Sequence, residues 1–215
     1  MEDGKIDSKF LKGTTIVAVL CKDGVVLAAD KRATAGYVVS KKELKVLEIG
    51  DNMAVAQCGL VSDAQLLVKL IKAELRLKDL HTSRKTSVKE GANLLASFLY
   101  NNMRKFTAVP GIVSFLLGGV DDNGAHIYDL GIDGSVTEVD DFVADGSGGV
   151  FALGVLEQDY KKDLSLDDGV KLAVKALGAA LKRDTATGNG IDVFTITKDG
   201  IKHVFKKIFE VSMNA

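Results

Sequence analysis

Residues 13–30 read GTTIVAVLCKDGVVLAAD, two largely apolar runs joined by Asp23-Gly24. Asp-Gly is a dipeptide favoured in two-residue hairpin turns, because both positions tolerate a positive φ. The stretch therefore predicts a β-hairpin in which residues 14–20 pair with residues 25–30. A hairpin this apolar is expected to lie in the core of the molecule.

The same turn chemistry recurs along the chain and alternates with helical periodicity. Further hairpin turns are predicted at Asn123-Gly124, Asp133-Gly134 and Asp199-Gly200, and a strand pair over 45–49 and 53–58. Helices are predicted over 62–77, from the Ser87/Glu90 capping box onward, over 149–160 and over 165–183. Strand groups separated by helix pairs indicate two packed sheets with helices on their outer faces.

Composition argues for one domain and against several classes of partner. A chain of 215 residues with 47% hydrophobic residues is expected to form a single sizeable core. The net charge is −1 and lysines alternate with acidic residues, so the sequence shows no basic patch that would bind nucleic acid. The apolar runs are too short to span a membrane. Residues 1–13 are charged and lack the apolar centre of a signal peptide. Cys21 and Cys58 fall in strand-like runs, which favours buried thiols and a cytoplasmic location.

The pair Gly13-Thr14 carries the first candidate for chemistry. A threonine hydroxyl is a poor nucleophile without a base, but a cut before Thr14 would free an α-amino group with a pKa of about 7.7–8.0 on the same residue. Asp30 ends the strand that pairs with the one after Thr14, and Lys45 opens the next extended segment. A lysine near the hydroxyl would favour the alkoxide, and a carboxylate would orient that lysine. The alternative for any such Asp/Lys pair is a surface salt bridge.

Two glycine-containing segments could complete a site. Gly59 lies between a strand and a helix, where backbone N–H groups can form an oxyanion hole; the alternative is a simple turn glycine. The run Gly146-Ser147-Gly148-Gly149 lacks the Lys-Ser/Thr of a phosphate-binding loop, so Ser147 is predicted to support another loop. His81, His126 and His203 show no metal-ligand spacing, and no metal or cofactor is expected.

Read in order, these motifs resemble proteasome β subunits of the archaeal type over nearly all of residues 13–207. The matching stretches are Gly13-Thr14-Thr15-Ile16-Val17, Lys22-Asp23-Gly24-Val25, Asp30-Lys31-Arg32-Ala33-Thr34, Lys45, Gly59 to Gln65, Gly146-Ser147-Gly148, Gly154 to Glu157, and Arg183 to Gly188. The resemblance implies an α+β fold of the N-terminal nucleophile hydrolase type. This fold is a four-layer α-β-β-α sandwich of two antiparallel sheets between helix layers.

The resemblance also implies a role for each candidate residue. Thr14 would be the nucleophile after self-cleavage of residues 1–13, which leaves 14–215 as one catalytic domain. Asp30 and Lys45 would complete the catalytic group. The backbone N–H of Gly59 would donate a hydrogen bond to the oxyanion. The residues expected around the threonine amine are Ser147, Asp184 and Thr187, and those expected in the substrate pocket are Ala33, Gln57 and Val61. Thr187 stands where many members have serine, and Gln57 stands where apolar residues are common. These pocket residues alone predict no cleavage preference.

The implied partners are other β subunits in a seven-membered ring, capping rings of α subunits, an unfolding ATPase ring and unfolded polypeptide substrates. No metal or nucleotide is implied in the active site. Three alternatives remain: a catalytically silent, unprocessed β subunit, the two-ring bacterial threonine protease, and an unrelated amidase that uses an N-terminal threonine on the same sandwich.

Overall fold

The structure is a computed structural model that describes residues 13–35, 37–107 and 111–209. Along these residues the elements follow one another in this order: β1 (Thr15–Cys21), β2 (Gly24–Asp30), β3 (Ala33–Ala35), β4 (Tyr37–Ser40), β5 (Val46–Glu48), β6 (Met53–Gly59), α1 (Val61–Thr82), α2 (Val88–Met103), β7 (Val113–Asp121), β8 (Gly124–Leu130), β9 (Val136–Val139), β10 (Phe142–Gly146), α3 (Gly149–Asp159), α4 (Leu166–Arg183), β11 (Gly190–Thr197) and β12 (Gly200–Ile208).

Two five-stranded antiparallel sheets form the centre of the molecule. The strand order is β10-β1-β2-β11-β12 in the first sheet and β5-β6-β7-β8-β9 in the second, while β3 and β4 form a separate ribbon. One apolar cluster lies between the sheets, a second lies between the first sheet and α3 and α4, and a third lies between the second sheet and α1 and α2. The predicted α-β-β-α sandwich of the α+β class is therefore confirmed.

The β1–β2 hairpin is apolar because both of its faces are buried. Ile16 and Ala18 belong to the cluster between the sheets, whereas Val17 and Val19 pack in the cluster that contains Leu177 of α4. Every residue of β2 is buried. A strand covered on both sides needs apolar residues on both sides, which explains the continuous run in the sequence.

The turn of this hairpin differs by one residue from the prediction. Lys22 and Asp23 form the two-residue loop, and Gly24 is already the first residue of β2, without a positive φ. Glycine is needed here for another reason: a Cβ at Gly24 would lie 2.3 Å from the carbonyl oxygen of Ile196 on β11. The glycine therefore allows close strand packing rather than the turn itself.

The helices agree with the predicted periodicity, and one of them is longer than predicted. The Ser87/Glu90 capping box is present at the start of α2, as the sequence indicated. Helix α1 runs from Val61 to Thr82, beyond the predicted residue 77. Its N-cap is Leu60, which provides no side-chain cap.

Strand β10 is the element that matters most for the site and the one least visible in the sequence. It pairs with β1 in a register that sets Gly146 opposite Thr15. The loop after β10 consequently brings Ser147 next to Thr14. Because β2 lies on the other side of β1, Asp30 reaches the same end of the sheet.

Candidate active site

Thr14 lies immediately before β1, with only 5% of its surface exposed. Its Oγ1 donates a hydrogen bond to the carbonyl oxygen of Gly13 at 2.8 Å and lies 3.0 Å from Nζ of Lys45. The hydroxyl is thus held between a cationic group and the peptide bond that joins Gly13 to Thr14.

Asp30 anchors this arrangement from the end of β2. It is completely buried, and Nζ of Lys45 donates to its Oδ1 at 2.6 Å, beside the backbone N–H of Thr15 at 2.9 Å. The N–H groups of Arg32 and Gly188 donate to its Oδ2 at 2.9 and 3.0 Å. A buried carboxylate is costly unless its oxygens are paired, and here each oxygen accepts two hydrogen bonds.

Lys45 precedes β5 and is 3% exposed. Its Nζ contacts Oδ1 of Asp30 and Oγ1 of Thr14, so the carboxylate fixes its position beside the hydroxyl. A fixed positive charge beside a hydroxyl stabilises the alkoxide relative to the alcohol. The buried geometry rules out the alternative reading of this pair as a surface salt bridge.

A second hydrogen-bond network approaches Thr14 from the opposite side. Asp184, at the C-terminal end of α4, accepts hydrogen bonds on Oδ2 from the hydroxyls of Ser147 at 2.6 Å and Thr187 at 2.5 Å. The N–H of Thr14 donates to the Ser147 hydroxyl at 3.3 Å. Since Thr187 donates to Asp184, the Thr15 hydroxyl donates to Thr187 across their 2.6 Å contact.

The carboxyl of Asp184 is electrostatically suited to orient these hydroxyls. Partial burial by itself would raise its pKa, but hydrogen bonds from the Ser147 and Thr187 hydroxyls and from the N–H groups of Ala186 and Thr187 outweigh burial and hold the pKa below its usual range. The group is therefore an anion at neutral pH, and as a pure acceptor it dictates the direction of the Ser147 hydroxyl proton.

Gly59 ends β6 on the wall of the cleft that contains Thr14. Gly59 has a φ of 111°, which residues with a side chain rarely adopt. A Cβ at this position would also lie 2.2 Å from the carbonyl oxygen of Ile112, so glycine is required here for both reasons. The structure brings Gly59 to the site, and its role as an oxyanion donor stays a prediction.

The predicted pocket residues Ala33, Gln57 and Val61 line the same cleft as Gly13 and Thr14. The sequence analysis missed two further wall residues, Thr34 and Glu43. Glu43 precedes Lys45 by two positions in an extended segment, and that spacing is the signal that could have found it.

Other chemistry near Thr14 is limited. Burial raises the pKa of the Cys58 thiol to about 12, so it is protonated at neutral pH and is not a competing nucleophile. Within residues 13–35, 37–107 and 111–209, no three His, Cys, Asp or Glu side chains are grouped to hold a metal ion. No helix in the same residues is long and apolar enough to cross a membrane.

Comparison with known sequences identifies the family of this chain. The sequence model described as "Proteasome subunit" matches residues 10–196. The chain belongs to the proteasome subunit family. Curated relatives include proteasome subunit beta of Archaeoglobus profundus, 45% identical over 205 residues that make up 95% of this chain and 94% of the relative. Proteasome subunit beta 1 of Thermococcus gammatolerans is 44% identical, over 90% of this chain and 94% of the relative. Proteasome subunit beta of Nanoarchaeum equitans is 41% identical, over 89% of this chain and 97% of the relative.

The proteasome relatives confirm the resemblance identified from the motifs, and they group the chain with β subunits of the proteasome core, which assemble with other subunits. They favour the proteasome over the two-ring bacterial protease and over an unrelated amidase. The residues to which the resemblance assigns a role lie around Thr14 or in the adjoining cleft.

Proposed function

We propose that this chain is a threonine endopeptidase subunit of the 20S proteasome core, with Thr14 as its N-terminal nucleophile. The observation that carries the proposal is the position of one atom. Thr14 Oγ1 lies 3.0 Å from the ammonium of Lys45 and 2.8 Å from the carbonyl oxygen of Gly13. The hydroxyl is next to a group that activates it and next to the bond that must break.

The first reaction is self-cleavage of the Gly13–Thr14 bond. Thr14 Oγ1 attacks the carbonyl carbon of Gly13, the C–N bond breaks, and the hydroxyl proton passes to the departing nitrogen. The result is an ester between Gly13 and the Thr14 side chain. Water hydrolyses that ester, which releases residues 1–13 as a propeptide with a free carboxyl and leaves 14–215 as the catalytic domain.

The second reaction uses the amine that the first one creates. The free amine of Thr14 accepts the Oγ1 proton, directly or through a water, while Oγ1 attacks the substrate carbonyl. Gly59 N–H stabilises the oxyanion. The amine then donates the proton to the leaving nitrogen, and water hydrolyses the acyl ester. Ser147, 3.3 Å from the Thr14 nitrogen and fixed by Asp184, supports this role by orienting the amine, with Thr187 beside it.

Membership of the proteasome family supports a proposal for the substrates and the assembly. The proposal includes a seven-membered β ring capped by α rings, a closed chamber that receives unfolded polypeptides, and an ATPase ring that feeds it. We place the protein in the cytoplasm, because its two cysteines are free thiols, as expected in a reducing compartment.

The test is the intact mass of the chain, together with its peptidase activity, after co-assembly with α subunits. We expect loss of residues 1–13 and hydrolysis of unfolded substrates. Thr14→Ala should abolish both, and Lys45→Ala should slow both by about 100-fold or more, because a fixed charge at the reacting oxygen is removed. Lys161→Ala is the matched control, since Lys161 is an exposed lysine that does not line the cleft with Thr14.

The opposite result would identify the silent subunit instead. Complete particles that retain residue 1 and hydrolyse no peptide would refute the catalytic proposal and support an unprocessed structural subunit. A Thr14→Ala chain that still loses residues 1–13 would refute self-cleavage.

A further inference from the structure

The cleft beside Thr14 contains two hydrogen-bond acceptors that the reaction does not use. One is the carboxylate of Glu43, which is half-buried on the segment between β4 and β5. Its position is fixed by the main chain, where the N–H of Glu43 donates to the carbonyl oxygen of Lys31 at 3.1 Å. The other is the side-chain amide of Gln57, near the end of β6.

The amide oxygen of Gln57 is unpaired. The residue is 4% exposed, and its Oε1 accepts no hydrogen bond within the described part of the chain. Buried acceptors are almost always paired, because an unpaired one loses its water without compensation. An unpaired acceptor on the wall of a substrate cleft therefore points to a donor on the ligand.

The charges on the wall of the cleft also favour a ligand that donates hydrogen bonds, and specifically a cationic one. Two of its wall residues carry a charge, Lys45 and Glu43. The ammonium of Lys45 is neutralised by Asp30, whose carboxylate lies 2.6 Å away. Within the described part of the chain no ion pair compensates the carboxylate of Glu43, so the cleft attracts a cation.

We propose that this cleft receives a basic side chain, lysine or arginine, from the residue on the N-terminal side of the scissile bond. The inference rests on the proposed peptidase function and names the substrate class for it. The ammonium or guanidinium donates to Glu43 and to Oε1 of Gln57, while the aliphatic stem packs against Ala33 and Val61. An apolar side chain in the same place would leave both acceptors unpaired, and a site built this way discriminates strongly against it.

The experiment measures kcat/KM of assembled, processed particles with four fluorogenic peptides. The peptides are identical except for lysine, arginine, leucine or glutamate before the cleaved bond. We expect lysine and arginine to exceed leucine by about tenfold or more, which is the scale of one hydrogen bond to a charged group, and glutamate to be the poorest.

Two variants assign the preference to residues. Glu43→Gln keeps the size of the side chain and removes its charge, so the lysine-to-leucine ratio should fall by about tenfold. Gln57→Leu should raise kcat/KM for leucine while lowering it for lysine. The control is Glu48→Gln, which removes an exposed glutamate of β5 outside the cleft and should leave the ratio unchanged.

The outcomes separate this inference from the function on which it rests. Particles that cleave after leucine as well as after lysine, or a Glu43→Gln variant with an unchanged ratio, would overturn the basic preference and leave the peptidase intact. Particles that cleave none of the four peptides would overturn both.

Discussion

The requirement for glycine at position 13 can be derived from the contacts around it. A Cβ built on Gly13 would lie 1.6 Å from Cβ and 2.8 Å from Cα of Ala186. Carbon atoms in good contact are about 3.5–4.0 Å apart, so an alanine at position 13 must move by roughly 2 Å. Ala186 does not yield easily, because its N–H donates to Asp184 Oδ1 at 3.2 Å within the turn after α4.

A displacement of this size moves the bond that Thr14 attacks in the proposed self-cleavage. The carbonyl oxygen of Gly13 is now 2.8 Å from Thr14 Oγ1. Misplacing a reacting group by 1 Å can cost about 100-fold in rate, so Gly13→Ala should slow release of residues 1–13 by about 100-fold or more. The assay is a time course of intact mass after assembly with α subunits is started.

Two further variants make this test specific. Gly154→Ala in α3 is the matched control, because a Cβ at Gly154 would meet nothing within 4 Å, and this variant should process at the normal rate. Ala186→Gly in the Gly13→Ala background removes the closer contact and should restore part of the rate. Processing of Gly13→Ala within about threefold of the unmodified chain would refute the steric reasoning, since a 2 Å displacement implies a far larger loss.

Two predictions concern stability, measured by urea unfolding of the unassembled chain carrying Thr14→Ala. Ser87→Ala should lower the free energy of unfolding by about 1 kcal/mol, because it removes the capping box of α2, whereas Ser62→Ala should change it little, since Ser62 caps no helix. Asp184 has a pKa below its unfolded value of about 3.9, so it stabilises the fold above that pH and loses this contribution as the pH falls through the lower, folded pKa. Asp184→Asn should therefore reduce the loss of stability below pH ~4, and an unchanged acid profile would contradict the assigned hydrogen bonds.

The sequence predicts those parts of the fold that depend on residues close together in the chain. The β1–β2 hairpin follows from its apolar runs, and α2 begins where the capping box indicates. Strand β10 was missed because its residues are partly exposed and mixed in polarity, whereas for β9 the hairpin turn at Asp133-Gly134 was predicted but the bounds of the strand were not. Their structure depends on pairing with β8 and β1, and such pairing is set by the tertiary fold rather than by local sequence.

In the candidate site, too, local sequence features could be predicted, whereas contacts set by the tertiary fold could not. Gly13, Thr14 and Lys45 could be identified as candidates because each chemical type occurs at a recognisable place in an ordered set of motifs. The contact between Thr15 and Thr187 could not, because it joins residues 172 positions apart. No motif marks Glu43, although it lines the same cleft as Lys45, two positions further along the chain.

The four hydrogen bonds to Asp30 join segments that are far apart in the sequence. Their donors come from the start of β1, the segment after β2, Lys45, and Gly188 beyond α4. The carboxylate that contacts Lys45 therefore has its full set of hydrogen bonds only when the segment after α4 has docked against β1 and β2. A chain that ends before Gly188 would lack one of these four donors and would leave one hydrogen bond to Oδ2 of Asp30 unmade.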